Sequence, residues 1–594
     1  MNETQSLYDL LVNLWRHIST RRRRQLLLLL MLMLVSAFAE IMSIGAILPF
    51  LAALASPTKV FQLPILRPFI ELLEIKNPDE ILLPLTIVFG GAALIAGFFR
   101  LLFLWVSTRL SFAIGADLGS AIYIKTLYQS YGIHCARNSS EVIDGISTKA
   151  NTVIYGVIIP VLTLFSSVIM LSVILAALLS LEPFITLIVF LGFGLIYGLI
   201  ISLTRKRVLR DGQMIAKNSS KVIKCIQEGL GGIRDVLIDN TQQYYYQIYR
   251  NADLVLRRAQ GSQYFLTVSP RYAMEALGMV LIACITIIYT KDADGLVKAL
   301  PTLGVLALSA QRLLPVLQHA YGSWINIKGS QASLRDAITF LDQPLPYQAD
   351  IATLKPIAFK NEISLHDISF RYSQGAPWVI KNLNLTIKKG TRIGFIGASG
   401  SGKSTLIDIL MGLLMPNHGE LKVDGSLVKL SNMQSWQSHI AHVPQNIFLA
   451  DSTIIENIAL GVPKNLIDLD RVMRSAEQAK LSEAIESWEK KYQTVVGEGG
   501  IRISGGQRQR IGIARALYKK AEVIVFDEAT SALDGDTELE VMQAIEALNG
   551  DLTILIVAHR ISTLKNCSQI IELGNQGIKR ISTYQDLIKS TGIL

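Results

Sequence analysis

The chain has 594 residues, 50% of them hydrophobic and 18% charged, with a net charge of +10 and a mean hydropathy of +0.38. Soluble enzymes are rarely so apolar, so part of the chain must be embedded in a membrane, and the length calls for more than one domain. The cations gather at the borders of apolar runs instead of interleaving with aromatics, which indicates a membrane surface and argues against nucleic acid, and the four scattered cysteines (135, 225, 284, 567) exclude a disulfide framework or structural metal site.

In chain order, residues 1–24 read as an amphipathic lead-in, with Leu7, Leu11, Leu14 and Trp15 on one side and the arginine run 21–24 at its end. It is expected to lie along the cytoplasmic membrane surface. A hydrocarbon core about 30 Å thick takes ~20 helical residues. Six apolar runs meet that length, at about 25–54, 81–111, 151–181, 183–203, 264–290 and 297–324. No short apolar core with a small-residue cleavage site precedes the first run, so it is expected to stay as an anchor. The arginines ahead of it hold the N-terminus inside, and six crossings return the chain to the cytoplasmic side. The outer loop at 56–80 contains Pro57, Pro64 and Pro68 and is expected to carry a short helix. Glu182-Pro183 is so tight a link that the third and fourth runs must be antiparallel neighbours, and 291–294 makes a second outer turn. Residues 112–150 and 205–262 are too charged to cross but keep helical periodicity. The crossings are therefore expected to continue into the cytoplasm, with polar breaks at 131–134 and 238–241 as contact points for a cytoplasmic domain.

From about 341 the character changes. Asp342-Gln343-Pro344-Leu345-Pro346 reads as a linker, and strand and helix patterns then alternate to residue 594. The predicted fold is thus an all-α six-helix membrane domain over 1–340 followed by an α/β domain over 341–594. The α/β domain opens with an alternating strand at 363–372. The apolar run 392–396 then leads into Gly397, Ala398, Ser399, Gly400, Ser401, Gly402, Lys403, Ser404 and Thr405, ahead of the helical pattern 406–410. Strand, glycine turn and helix start, in that order, aim backbone N–H groups and the positive end of a helix dipole at one small anionic volume. Such a volume suits the phosphates of a nucleoside triphosphate. The glycines let the backbone close in, Lys403 can reach the β and γ oxygens, and the Ser404 hydroxyl can hold Mg²⁺. Further on, the buried-strand pattern 523–526 ends in Asp527 and Glu528. Paired acids at a strand's carboxyl end suit Mg²⁺ binding through water by the first and polarisation of an attacking water by the second.

Ser504, Gly505, Gly506 and Gln507 then offer a hydroxyl, two glycine N–H groups and a helix start, which makes a second anion-binding nest. One nucleotide does not need two nests from one chain, and the residues alone do not say what the second one binds. With this set the domain resembles the nucleotide-binding domain of ATP-binding cassette transporters, and the whole chain resembles their exporter half-transporters. The resemblance implies that 504–507 faces the phosphate loop of a second copy, so that a homodimer sandwiches two ATP. It also implies adenine stacking by Tyr372, a Mg²⁺- and nucleotide-sensing role for Gln445, coupling roles for Glu498 and Asp534, and γ-phosphate contact by His559. Ile503 stands where the family has leucine, and Gly499-Gly500 where Arg-Gly is commoner. Neither change removes a phosphate ligand, and the intact Glu528 implies two active sites.

In the membrane half, Arg100, Arg271 and Arg312 fall within predicted crossings. A charge at the bilayer centre costs at least about 2.5 kcal/mol. Two readings remain open: the arginines line a cavity for an anionic headgroup, for which the planar guanidinium fork suits pyrophosphate, or they snorkel or pair with Glu40 and Glu275. The opening 37–50, the outer loop and these arginines resemble the lipid-linked oligosaccharide flippases of bacterial glycan pathways. That resemblance implies ATP-driven transfer of a polyprenyl-pyrophosphate glycan across the cytoplasmic membrane. Another anionic lipid, drugs or peptides are the alternative cargoes, and a membrane-anchored regulatory ATPase is the alternative of another class.

Overall fold

The computed structural model describes residues 6–55, 57–61, 71, 77–181, 183–289, 313–345, 357–528, 535, 538, 543, 552–558 and 560–591. The chain divides into two compact units, one of Met1–Tyr128 and Arg137–Pro344 and the other of Gln129–Ala136 and Leu345–Leu594.

The first unit is helical. A lead-in helix α1 (Leu7–His17) starts at a capping box in which Ser6 and Asp9 satisfy each other's backbone N–H. Its buried residues are Leu10 and Leu14, which join one core with Leu334, Ile338 and Leu341, while Trp15 stays exposed. Leu10 and Leu14 pack on protein, because the helix over Gln331–Leu341 offers a complementary apolar face, and a hydrogen bond between His17 Nε2 and Asp342 Oδ1 at 2.8 Å ties the two together.

The long helices follow: α2 (Thr20–Ala55), α3 (Leu82–Leu127), α4 (Tyr131–Ala136), α5 (Ser139–Asp144), α6 (Ile159–Leu181), α7 (Pro183–Gly231), α8 (Ile233–Ile238), α9 (Gln242–Tyr289), α10 over 313–329 and α11 (Gln331–Leu341). Helices α3, α7 and α9 have 46, 49 and 48 residues. At 1.5 Å per residue each is about 70 Å long, more than twice a hydrocarbon core. The expected continuation of the crossings beyond the bilayer is therefore continuous helix. Among the described residues three spans are long and apolar enough to cross, Thr20–Ser43, Leu82–Leu127 and Ser139–Ala176. The third runs through two π-turns, Gly145–Lys149 and Ile154–Ile158. The outer turn at 291–294 and the start of the sixth predicted crossing lie outside the described residues. The two cytoplasmic breaks separate: α4 groups with the second unit, where Gly132 lies against Leu414, whereas α8 stays with the first and leaves Leu237 and Ile238 exposed.

Helix α9 contains Pro270. Proline has no N–H to give the carbonyl four residues back, which is Leu266. The Tyr321 hydroxyl of α10 donates to that carbonyl at 3.2 Å in a buried position. The carbonyl that Pro270 leaves over is thus satisfied by a side chain from the neighbouring helix, within the cluster of Phe193, Tyr197, Leu266, Met274, Tyr321 and Ile325.

The second unit holds two sheets. One, in the order β2-β1-β4-β5, is antiparallel and comprises β1 (Glu362–Phe370), β2 (Ile380–Lys388), β4 (His418–Val423) and β5 (Ser426–Leu427). The other, in the order β10-β9-β3-β8-β7-β6, comprises β3 (Arg392–Gly397), β6 (Ile440–Val443), β7 (Val523–Asp527), β8 (Thr553–Val557), β9 (Gln569–Gly574) and β10 (Gly577–Ser582). Strands β6, β7, β8, β3 and β9 are mutually parallel, and only β10 runs against its neighbour. Strands β7 and β8 are buried almost throughout, as a sheet covered on both faces requires. Helix α12 (Lys403–Leu410) follows β3, and α13 (Gly505–Tyr518) precedes β7.

We expect Tyr321→Phe to destabilise the helical unit by about 1–3 kcal/mol, because it leaves the Leu266 carbonyl buried without a donor. Thermal unfolding in detergent checks this. The cost should largely vanish in a Pro270→Ala background, where the peptide N–H is restored.

Candidate functional site: a phosphate loop between parallel strands

The register fixes the site. Phe395 of β3 and Asp527 of β7 both pair with Val557 of β8, and Val443 of β6 pairs with Phe526. The carboxyl ends of four parallel strands therefore come to one edge of the sheet, where ligands bind in open α/β sheets. The loop after β3 carries the predicted phosphate-binding residues.

Gly397 has φ 151°, and a Cβ there would stand 2.4 Å from the Leu573 carbonyl oxygen. Gly402, at φ 96°, is the N-cap of α12 in the left-handed region. A side chain is sterically excluded at the first and strained at the second, so the loop curls with its backbone N–H groups inward. The Lys403 side chain is 7% exposed, and its ammonium donates to the carbonyls of Gly397 and Ala398 at 2.8 and 3.0 Å. These neutral acceptors are weaker partners than a phosphate oxygen would be. The Ser401 hydroxyl is buried with no hydrogen-bond partner. Ala398, Ser399, Gly400 and Ser404 are exposed along the loop. An orphaned hydroxyl, a folded-in ammonium and a cradle closed to side chains fit a polyphosphate.

Tyr372 follows β1 and remains 58% exposed, with its ring edge-on to Phe370 and its hydroxyl 3.1 Å from the Thr405 Oγ1. The aromatic predicted for adenine is thus tied to the last residue of the phosphate loop. Gln445, two residues beyond β6, donates from Nε2 to Glu528 Oε2 at 2.7 Å. Glu528 itself has φ 52° and donates its backbone N–H to the Val557 carbonyl at 3.0 Å. A left-handed non-glycine residue stores about 1–3 kcal/mol and persists where the surroundings over-determine it, commonly at functional positions. Burial holds the Asp527 carboxyl above its ordinary range, the neighbouring Glu528 charge adds to this, and Lys403 opposes it. Among the described residues no trio of His, Cys, Asp or Glu gathers. The Ser404 hydroxyl, the Gln445 amide and the Asp527 carboxylate are a sparse oxygen set, which fits Mg²⁺ that keeps waters and phosphate oxygens as its remaining ligands.

The second nest is the N-terminus of α13. The Ser504 hydroxyl accepts from the Gln507 N–H, and the Gln507 side chain accepts from the Ser504 N–H, a capping box that leaves Gly505 and Gly506 to present their N–H groups. Among the described residues no hydrogen bond or ion pair joins it to the phosphate loop. Glu498 is exposed in a 3-10 turn whose glycines, Gly499 and Gly500, have φ 58° and 74°. His559 and Asp534 lie outside the described residues.

In the membrane half, Arg100 Nη2 is 3.6 Å from Glu40 Oε1, and Arg271 Nε is 2.7 Å from Glu275 Oε1. The pairing alternative therefore holds for both. Glu40 is almost fully buried, whereas the two arginine side chains remain 60% and 53% exposed. His319 of α10 lies within electrostatic reach of both. Sequence reasoning missed His319, although an ionisable residue in an apolar run was a usable signal. Arg312 lies outside the described residues.

Asp408 of α12 was also missed. Burial, with Asp527 as the nearby like charge, pushes its carboxyl from 3.8 to about 6. Because the folded state holds this proton more tightly, the cost of ionising Asp408 is fully felt above about pH 6 and fades toward the unfolded pKa. After solvent screening of a half-buried group the cost is about 1–2 kcal/mol. Asp408→Asn should accordingly stabilise the protein by that amount at pH 8, with the gain shrinking toward pH 5 (~3 pH units lower). Unfolding midpoints at the two pH values check this, and a gain independent of pH overturns it.

The family model described as ABC transporter matches residues 380–531, and that described as ABC transporter transmembrane region matches residues 24–291. The chain is 29% identical over 420 residues to the ATP-dependent lipid A-core flippase of Alkalilimnicola ehrlichii, covering 70% of each chain. It is 29% identical over 410 residues to the protein of the same name in Francisella novicida, covering 67% of this chain and 68% of that one. It is also 38% identical over 237 residues to ATP-binding cassette sub-family B member 5 of Mus musculus, which covers 40% of this chain but 19% of that one. The fold is shared, at a TM-score of 0.74 and 20% identity, with a solved bacterial Atm1-family ABC exporter with ATP bound, over 93% of this chain and 96% of the other. With the phosphate loop, the strand-end acids and the second nest in one domain and long membrane helices in the other, the chain belongs to the ABC transporters, as an exporter that couples ATP hydrolysis to transport.

Proposed function

We propose that two copies of the chain form an ATP-driven flippase that moves an amphipathic lipid with a phosphate-bearing headgroup from the inner to the outer leaflet of the cytoplasmic membrane. A polyprenyl-pyrophosphate-linked oligosaccharide is the first candidate cargo. The observation that carries this is that Arg100, Arg271 and His319, from α3, α9 and α10, lie within electrostatic reach of one another in the membrane half. Each arginine keeps more than half of its side chain exposed while its acid anchors it. An anionic headgroup would gain two planar guanidinium forks there. The names of the relatives, lipid A-core flippases, favour a second cargo of the same chemistry, another anionic lipid.

On this reading the phosphates of ATP lie in the loop 397–405, with Lys403 on the β and γ oxygens and Tyr372 against the base. Ser404, Gln445 and Asp527 would hold Mg²⁺, which supplies charge neutralisation at the phosphates when bound. Glu528, oriented by Gln445 at 2.7 Å, draws the proton from the attacking water. Ser504, Gly505, Gly506 and Gln507 of one copy close over the γ-phosphate held by the other, since one chain presents two separate nests. His559 contacts the γ-phosphate, and Glu498 and Asp534 carry coupling, as the family resemblance implies.

Glu528→Gln should lower ATP turnover by about 10²-fold or more with nucleotide binding retained, as loss of a general base does. In proteoliposomes, Arg100→Ala and Arg271→Ala should each slow leaflet transfer of a lipid-linked oligosaccharide about tenfold or more, the value of one charge-assisted hydrogen bond, while basal turnover persists. Full transfer by both variants sinks the headgroup cavity, drug-stimulated turnover without lipid transfer points to the exporter alternative, and turnover with no transfer of any cargo points to a regulatory ATPase.

A further inference from the structure

Arg109 and Arg22 have no part in the nucleotide site or in the Arg100–Arg271 group. They line one groove between α2 and α3 with a volume of about 360 Å³. On α2 it is lined by Arg22, Gln25 and the leucines at 28, 29 and 32, and on α3 by Trp105, Val106, Arg109, Leu110 and Ala113. The spacing on each helix is that of one continuous face.

Leu29 and Leu110 are buried and form the floor, while Leu28 and Trp105 form exposed rims. The groove is therefore an apolar trough open at its side, with Arg22 and Gln25 at one end of its α2 wall and Arg109 midway along its α3 wall. The Arg22 end is the cytoplasmic one, because Arg22 opens the first crossing.

The two arginines of the groove are not equivalent. Arg22 is held by Asp117, from Nε at 2.8 Å and from Nη2 at 3.4 Å, and its Nη1 donates to Gln25. Its charge is balanced within the protein. The Arg109 guanidinium lies 5.5 Å from the centre of the Trp105 ring, and among the described residues no acidic side chain pairs with it. A guanidinium stacked on an indole at a membrane boundary keeps its N–H fork free for an anion.

Arg109 is also separate from the proposed cargo cavity. It is nine residues from Arg100 along α3, which is about 13 Å of rise and roughly half a turn around the helix. The two side chains project from opposite faces.

We infer that the α2–α3 groove is a resident binding site for one anionic phospholipid of the inner leaflet, with the headgroup phosphate on Arg109 and the start of an acyl chain along Leu28, Leu32 and Trp105. Charge complementarity selects this occupant. The groove offers one uncompensated cation, Arg109, near the border of the second predicted crossing and hydrocarbon walls on either side of it, the pattern of basic pockets that hold acidic lipids between membrane helices. A zwitterionic lipid brings its own cation to the same place and gains less.

The test uses the full chain in nanodiscs of phosphatidylcholine with and without phosphatidylglycerol, released into the gas phase for native mass spectrometry. The wild type should retain phosphatidylglycerol in preference to phosphatidylcholine, and Arg109→Gln should reduce that preference about fivefold, the contribution of one interfacial cation. Arg109→Lys should keep part of it. ATP turnover in detergent should match wild type in both variants, which establishes that they are folded. Equal retention of the two lipids by the wild type, or an unchanged preference in Arg109→Gln, overturns the assignment. Efficient disulfide formation between two copies of Leu28→Cys in the membrane also overturns it, because the groove is then a protein interface.

Discussion

The catalytic half depends on the side-by-side register of β3, β8, β7 and β6. Parallel strands deliver their carboxyl ends to one edge, so four stretches far apart in sequence, at 397, 445, 527 and 558, reach one place with no side chain contributing to the choice. The Gln445–Glu528 hydrogen bond spans the ends of adjacent strands, and it can form only because Val443 pairs with Phe526. A one-residue slip would turn both side chains to the other face of the sheet. The left-handed backbone at Glu528 is tolerated for the same reason. Its N–H is held by Val557 of the next strand, so the sheet supplies the constraint that the residue alone would not accept.

The helical half answers to a different constraint, since every backbone polar group in hydrocarbon must find a partner inside the protein. Pro270 breaks this rule in α9, and Tyr321 of α10 repairs it by donating to the orphaned Leu266 carbonyl. The repair joins two helices beside Arg271, next in the chain to Pro270. The carbonyl freed by the proline has its donor, and the arginine has Glu275 one turn on.

The phosphate loop, the acids at the end of β7 and the helix-start nest at Ser504 were legible in the sequence, because each is a local pattern whose chemistry depends on spacing alone. So was the length of the helices beyond the bilayer, since helical periodicity persists where charge rules out a crossing. What was not legible came from pairing at a distance. Leu10 and Leu14 of α1 pack on α11, a helix more than 300 residues further on, and nothing in residues 7–17 names that partner. Asp408 and His319 look like single polar interruptions of apolar runs. Only the fold brings Asp408 within reach of the Asp527 charge and His319 within reach of two guanidinium groups.

The arginines of the helical half illustrate how far composition can mislead. By sequence, 22, 100, 109 and 271 are all cations at or inside apolar runs, and a uniform explanation, snorkelling, would serve for each. The structure separates them by their partners. Arg22 has Asp117, Arg100 has Glu40 and Arg271 has Glu275, so three of the four are neutralised within the protein. Exposed pairs contribute about 0–1 kcal/mol to stability, too little to explain carrying a charge into hydrocarbon at about 2.5 kcal/mol or more. Stability therefore does not account for Arg100 and Arg271, and their remaining exposure is better explained by something they bind. The same reasoning applies with more force to Arg109, which has an indole for company and, among the described residues, no carboxylate. The counter-charge it needs has to come from the membrane.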